Sequence, residues 1–163
     1  GTGKGAFISE MACREPATDF VGIEAQREVL YQAAKKLAAR EAANVRLLHF
    51  DVSRIVDIFA PGEVDRLYIN FCDPWPKKRH AKRRLTGGRF LAMYRIIMAT
   101  GGELHFKTDN SGLFAFSLEE FARAGLTVKN VTFDLPAGGV MTEYETKFRA
   151  LGMKIHRCEV VFP

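Results

Sequence analysis

The chain has 163 residues, with 24 Lys+Arg against 19 Asp+Glu, a net charge of +5, and 47% hydrophobic side chains. That length suits a single domain with a real core, and no apolar run approaches the roughly 20 residues that span a bilayer. Three scattered cysteines, Cys13, Cys72 and Cys158, form no C-x-x-C pair, and the first residues do not read as a signal peptide; both point to a reduced, cytoplasmic protein rather than a disulfide scaffold or a zinc site.

Gly1-Thr2-Gly3-Lys4-Gly5 is a glycine turn of the kind that succeeds a first strand and opens a helix, yet no strand precedes it. In a doubly wound sheet that strand is central, so the numbering is expected to begin inside a longer natural chain. Phe20–Ile23 is a short strand ending at Glu24. Ala25–Ala43 has the helical period, with Val29, Leu30, Ala33, Ala34 and Leu37 on one face. Val45–Phe50 is the next strand, ending at Asp51, and a short helix near 52–59 is broken by Pro61-Gly62. Val64–Phe71 is a third strand. Arg89–Ala99 is helical, and Thr100-Gly101-Gly102 is expected to end it. The strand Glu103–Lys107, the helix Asn110–Ala124 and the strand Leu126–Phe133 come next. After a turn-rich 134–140 come a helix, Thr142–Leu151, and a last strand, Met153–Phe162. Strands alternating with helices predict an α/β fold with a mostly parallel sheet, helices on both faces, and the final strand as a candidate antiparallel edge.

The polar residues fall at the carboxyl ends of these strands, where an open α/β sheet binds its ligands. Glycines at 1, 3 and 5 let backbone approach a ligand closely. The turn is neither a Walker A loop nor G-x-G-x-x-G. Glu24, about 20 residues further on, suits a ribose diol, and Asp51 suits an adenine edge. Each also has a plain structural account, since both precede helices and carboxylates favour helix N-termini. Together the three features favour an adenosine-bearing cofactor.

The most specific segment is Asp73-Pro74-Trp75-Pro76 and, directly after it, Lys77-Lys78-Arg79-His80-Ala81-Lys82-Arg83-Arg84, six cations in eight residues. Prolines stiffen the turn around one carboxylate and one large aromatic. Without those six cations, 18 would face 19 carboxylates, so the basicity is local and suits oriented binding of a polyanion. The plain account of Asp73 is an ion pair with Lys77 or Arg79; that of Trp75 is a core aromatic, against a stacking surface for a base. Asp109 is either a helix N-cap or a site residue. Thr142-Glu143-Tyr144-Glu145 matches a capping box, leaving Glu143 and Tyr144 to face outward. The histidines, His49, His80, His105 and His156, form no ligand cluster.

Taken in order, these stretches, with Gly22-Ile23-Glu24, Lys82-Arg83-Arg84-Leu85-Thr86, Lys107-Thr108-Asp109-Asn110 and Thr142–Phe148, resemble the tRNA (guanine-N7-)-methyltransferase family over nearly the whole chain. The resemblance implies one class I, Rossmann-like methyltransferase domain over 1–163 that lacks its first strand, using S-adenosyl-L-methionine on the variable-loop guanosine of tRNA. It implies that Glu24, Asp51 and Asp73 contact the cofactor, and that Lys77, Asp109, Thr142, Glu143, Tyr144 and Glu145 engage the tRNA. On this reading Asp73 is the catalytic carboxylate, and Lys78, Arg79, Lys82, Arg83 and Arg84 join Lys77 in holding phosphates. The assembly is a monomer or a homodimer. Two other readings stay open: a different adenosylmethionine-dependent methyltransferase, and a non-catalytic RNA-binding subunit or inactive fragment.

Overall fold

The apolar runs become strands and the amphipathic stretches become helices in a computed structural model that describes residues 1–163. The chain falls into two units, Gly1–Ser53 with Ala137–Lys147, and Arg54–Pro136 with Phe148–Pro163. No helix is long and apolar enough to cross a membrane.

In the first unit the glycine turn opens α1 (Ala6–Arg14), and β1 (Phe20–Glu24), α2 (Arg27–Ala38) and β2 (Val45–His49) come after it. β1 and β2 pair in parallel, from Phe20↔Val45 to Glu24↔His49. Ile8, Ala12, Leu37 and Val45 form the core, with Phe20, Ala42 and Leu47 against it. Two glycines allow this packing. A β-carbon on Gly22 would lie 2.7 Å from Leu47 and 3.0 Å from Ile8, and one on Gly5 would lie 2.9 Å from the Ala33 β-carbon. α1 therefore meets β1 and α2 where no side chain intervenes.

α2 stops at Ala38, short of the expected Ala43. The Ala42 amide turns back to the Leu37 carbonyl, and Glu41 takes a left-handed φ of 51°. The Asn44 side chain then donates to the carbonyls of Ala12, Glu15 and Thr18, fixing the chain as it enters β2. These bonds offer the backbone an alternative to another helical turn.

The second unit holds β3 (Val64–Asn70), α3 (Gly88–Ile97), β4 (Met98–Thr108), α4 (Ser111–Arg123), β5 (Thr127–Thr132) and β6 (His156–Val161). α5 (Glu143–Ala150) begins in the first unit and ends in the second. The strand order is β3-β4-β6-β5, with β3–β4 parallel and both β6 pairings antiparallel. The last strand is thus antiparallel, as expected, but it lies inside the sheet, and β5 takes the edge. Alternate residues Leu104, Phe106 and Thr108 of β4 are buried, as are Cys158 and Val160 of β6. Phe106 stacks on Phe114 of α4 at 6.0 Å and meets Phe121 edge-on at 6.3 Å, so α4 seals this face.

Thr100-Gly101-Gly102 does not terminate a helix in this fold. α3 ends at Ile97, and the glycines lie within β4, where the register jumps from Val64↔Met98 to Arg66↔Glu103. A β-carbon on Gly102 would sit 2.8 Å from the Ala99 carbonyl oxygen and 3.1 Å from that of Asp65. The glycine pair builds a bulge in a strand.

The opposite face of this sheet is charged. Glu103 pairs with Lys129 at 2.6 Å and with His105 at 2.9 Å, and Glu159 pairs with Arg157 and accepts from Asn130. Contrary to the expectation from sequence, one histidine does join a ligand-like group: atoms of Glu103, His105 and Glu159 lie within 4.8 Å of one another. Lys129 and Arg157 already neutralise both carboxylates, so the group is an ion-pair network.

Candidate functional site

The glycine turn of the first unit wraps the end of β1. The Thr2 amide donates to the Ile23 carbonyl at 2.7 Å, so the turn runs beside the strand. Gly3 and Gly5 have φ of 61° and 82°, and nothing lies within 4 Å of a β-carbon placed on Gly3. A β-carbon on Gly1, by contrast, would lie 2.9 Å from Glu24 Oε2. The Glu24 carboxylate is 8% exposed and accepts two backbone N–H groups, from Gly3 at 3.1 Å and from Gln26 at 3.0 Å. One oxygen thus serves the start of α2 and the other braces the turn. The structural account of Glu24 holds, and each oxygen keeps a second lone pair. Asp51 is exposed, and its Oδ1 accepts from the Ser53 amide at 2.8 Å, capping the 3₁₀ turn at 52–57.

The acidic loop belongs to the second unit. The Phe71 amide donates to the Lys107 carbonyl at 2.9 Å, extending the β3–β4 ladder by one residue. The chain then leaves the sheet through two left-handed residues that are not glycine, Phe71 at φ 53° and Trp75 at φ 44°. Such conformations cost about 1–3 kcal/mol each and persist only where the surroundings enforce them. Asp73 sits between them, exposed, and forms no ion pair with Lys77 or Arg79, so its plain account does not hold. Beside it, burial and the Asp73 charge push the Cys72 thiol up to about 12, which keeps it protonated. Trp75 is half-buried. Arg83 lies over its ring at 4.8 Å and His80 meets it edge-on at 5.7 Å.

Behind the loop, residues 78–83 form 3₁₀ turns that leave Lys77, Lys78, Arg79, Lys82 and Arg83 exposed. Arg84 differs: it is half-buried and donates to the carbonyls of Pro74 and Trp75. Nothing in the sequence separates it from its neighbours.

Asp109 is not the cap of α4. Asn110 is: its side chain accepts from the Leu113 amide at 2.7 Å, and Thr108 Oγ1 accepts the Asn110 amide at 3.1 Å. Asp109 is left half-exposed at the carboxyl end of β4. In the first unit Thr142 Oγ1 accepts from the Glu145 amide at 3.0 Å, the bond a capping box requires. Tyr144 is 60% exposed, whereas Glu145 is fully buried. Glu143 faces outward but is not free, since Lys36 of α2 reaches it at 2.6 Å. Burial pushes the Glu143 carboxyl up, and the Lys36 ammonium with a backbone N–H outweighs it, leaving it below the usual range.

A profile of the family described as putative methyltransferase matches residues 1–158. A tRNA (guanine-N(7)-)-methyltransferase of Bacillus subtilis is 52% identical over 164 residues, 98% of this chain and 77% of that protein. One from Streptococcus equi subsp. zooepidemicus is 50% identical, covering 99% of this chain and 79% of its own. Among solved structures, a SAM-dependent methyltransferase from Aquifex aeolicus aligns with TM-score 0.71 at 14% identity, covering 100% of this chain and 79% of that one. The precorrin-6y C5,15-methyltransferase of Geobacter metallireducens aligns at 0.69 and 14%, covering 99% and 77%. These distant likenesses establish the fold, a class I methyltransferase architecture.

Proposed function

The chain belongs to the tRNA (guanine-N(7)-)-methyltransferase family, and on that premise we propose how its residues carry the transfer of a methyl group from S-adenosyl-L-methionine to N7 of a tRNA guanosine. The target within the tRNA is the variable-loop guanosine. Three cysteines free of any disulfide support the cytoplasmic location that this substrate carries with it.

The first unit fits the cofactor. Open space stands over Gly3, and the buried Glu24 carboxylate keeps acceptor capacity beside it, which suits a ribose diol. Gly1, Gly3, Gly5 and Glu24 would hold the adenosine, with Asp51 at its base; on this reading Asp73 is a further cofactor contact. When bound, S-adenosyl-L-methionine supplies an electrophilic methyl group.

Guanine N7 carries an in-plane lone pair and no proton, so the chain has no proton to remove. Its tasks are alignment of the purine and stabilisation of the positive charge that the purine acquires. Asp73 supplies the second, as a fixed carboxylate with no cationic partner to cancel it. Lys77, Asp109, Thr142, Glu143 and Tyr144 engage the nucleotide, the buried Glu145 lying behind them, and Trp75 offers a stacking face once Arg83 yields it. Lys78, Arg79, Lys82 and Arg83 hold phosphates.

The observation that carries the residue roles is the exposed, unpaired Asp73 between two left-handed residues, with an exposed basic turn directly after it. The test is transfer of labelled methyl to unmodified tRNA and then nucleoside identification. 7-Methylguanosine is the expected product, and any other methylated nucleoside would overturn the reading. Asp73→Ala is expected to lower kcat by roughly 100-fold, the scale of losing one preorganised electrostatic group, at unchanged tRNA affinity. Retained turnover would remove Asp73 from the chemistry.

A further inference from the structure

Six cations lie between residues 77 and 84, and one of them has its side chain turned inward. Arg84 Nε donates to the Pro74 carbonyl at 3.1 Å and the Trp75 carbonyl at 3.3 Å, and Nη2 donates to Trp75 again at 3.0 Å. The flat guanidinium rests 4.3 Å from the centroid of the Phe116 ring on α4. The side chain thus uses its fork and its face together, two properties that lysine lacks. The carbonyls it serves lie in a loop outside every helix and strand, with no ladder to satisfy them.

The residues just after Arg84 are tied to the same helix. Thr86 Oγ1 and Ser117 Oγ are 2.7 Å apart in a buried contact, and the Gly88 amide donates to Glu120 at 2.6 Å. The segment 84–88 is therefore fixed to α4, and Arg84 reaches from that fixed base to the turn carrying Asp73. Two left-handed residues in five, Phe71 and Trp75, need such an external restraint. A guanidinium committed to two carbonyls and a ring would forfeit all three contacts on turning out toward a phosphate.

We infer that Arg84 is a positioning residue: it clamps the Asp73-Pro74-Trp75 turn onto α4 through Phe116 and binds no phosphate. Its effect on turnover rests on the role assigned to Asp73 above; its effect on the turn does not. Trp75 is the sole tryptophan of the chain, so its fluorescence reports on the turn directly.

The experiment compares Arg84→Lys, Arg84→Ala and Phe116→Leu with the unsubstituted full chain. It measures kcat and KM for tRNA, the salt dependence of tRNA binding, and acrylamide quenching of Trp75. Arg84→Lys keeps the charge and loses fork and stack. It is expected to lower kcat about 10- to 100-fold, the scale of a sub-ångström to ångström misplacement, with little change in KM and with more quenchable Trp75. Phe116→Leu is expected to move quenching and kcat the same way by a smaller factor. Arg84→Ala is expected to leave the log–log salt slope of binding unchanged. A drop in that slope of roughly one would make Arg84 a phosphate contact and overturn the inference. Unchanged kcat and quenching in Arg84→Lys would overturn it too, even if the alanine variant does not fold. If Asp73→Ala retains turnover while Arg84→Lys still frees Trp75, the Asp73 assignment fails and the clamp stands.

Discussion

Glu24 shows how one side chain can brace two segments at once. Its two oxygens hold the Gly3 and Gln26 amides, and its burial keeps the carboxylate from being screened. Glu24→Gln removes the charge and sets an amide N–H₂ against one of those donors. Cofactor affinity is expected to fall by about 1.5–3 kcal/mol, the range for a charge-assisted hydrogen bond, and titration calorimetry with S-adenosyl-L-methionine reads it directly. The place of Glu24 at the end of β1, beside the glycine turn, was legible from the sequence. Which of Asp109 and Asn110 caps α4 was not, because both side chains accept from N–H groups equally well. The fold chooses Asn110 and leaves the carboxylate beside it at the strand end. Arg84 was equally illegible, since its inward turn depends on an aromatic ring contributed by α4.

Among the elements, strands were read well wherever apolar runs were bounded by turn residues, and boundaries failed where one signal had two uses. Gly101-Gly102 reads as a helix stop in sequence and serves as a bulge in β4, because the backbone that crowds Gly102 comes partly from β3. The end of α2 failed because the alanines up to Ala43 carry no breaker, and the stop comes from Asn44 bonding across to α1 and the segment after it. The charged face of the mixed sheet gives a prediction at this scale. Hydrogen bonds from Lys129 first and His105 second hold the Glu103 carboxyl down to about 2, from an ordinary 4.5. A depressed carboxyl stabilises the fold fully above its ordinary value, and that contribution disappears as pH falls toward 2. Glu103→Gln should therefore flatten the fall in melting temperature between about pH 5 and pH 2, and thermal melts across that range check it. A variant with the same acid profile as the unsubstituted chain would mean the network carries no pH-dependent stability.

At the scale of the whole molecule the charge is concentrated in one place. The exposed Lys78, Arg79 and Lys82 lie on a single short turn, while the rest of the sequence is close to neutral. Replacing all three with alanine is expected to reduce the log–log salt slope of tRNA binding by about 2 to 3, at about 0.7–0.9 per phosphate contact, and to leave the slope of cofactor binding alone. Filter binding over a salt series measures it, and an unaltered slope would place the RNA elsewhere. The exposure of this run, Arg84 apart, was legible in the sequence, because a cation run without interleaved acids has few structural uses. The order of strands was the least legible, since pairing across the sheet is set by contacts remote in sequence. That order has a consequence for biosynthesis. β5 meets the sheet only through β6, so while residues 156–161 are still inside the ribosome, β5 has emerged with nothing to join and β4 shows a bare flank. Raw sheet edges of this kind invite pairing with a neighbouring nascent chain. The arrival of β6, made after both strands it joins, closes the facing flanks of β4 and β5 in one event and leaves β5 as the outer strand.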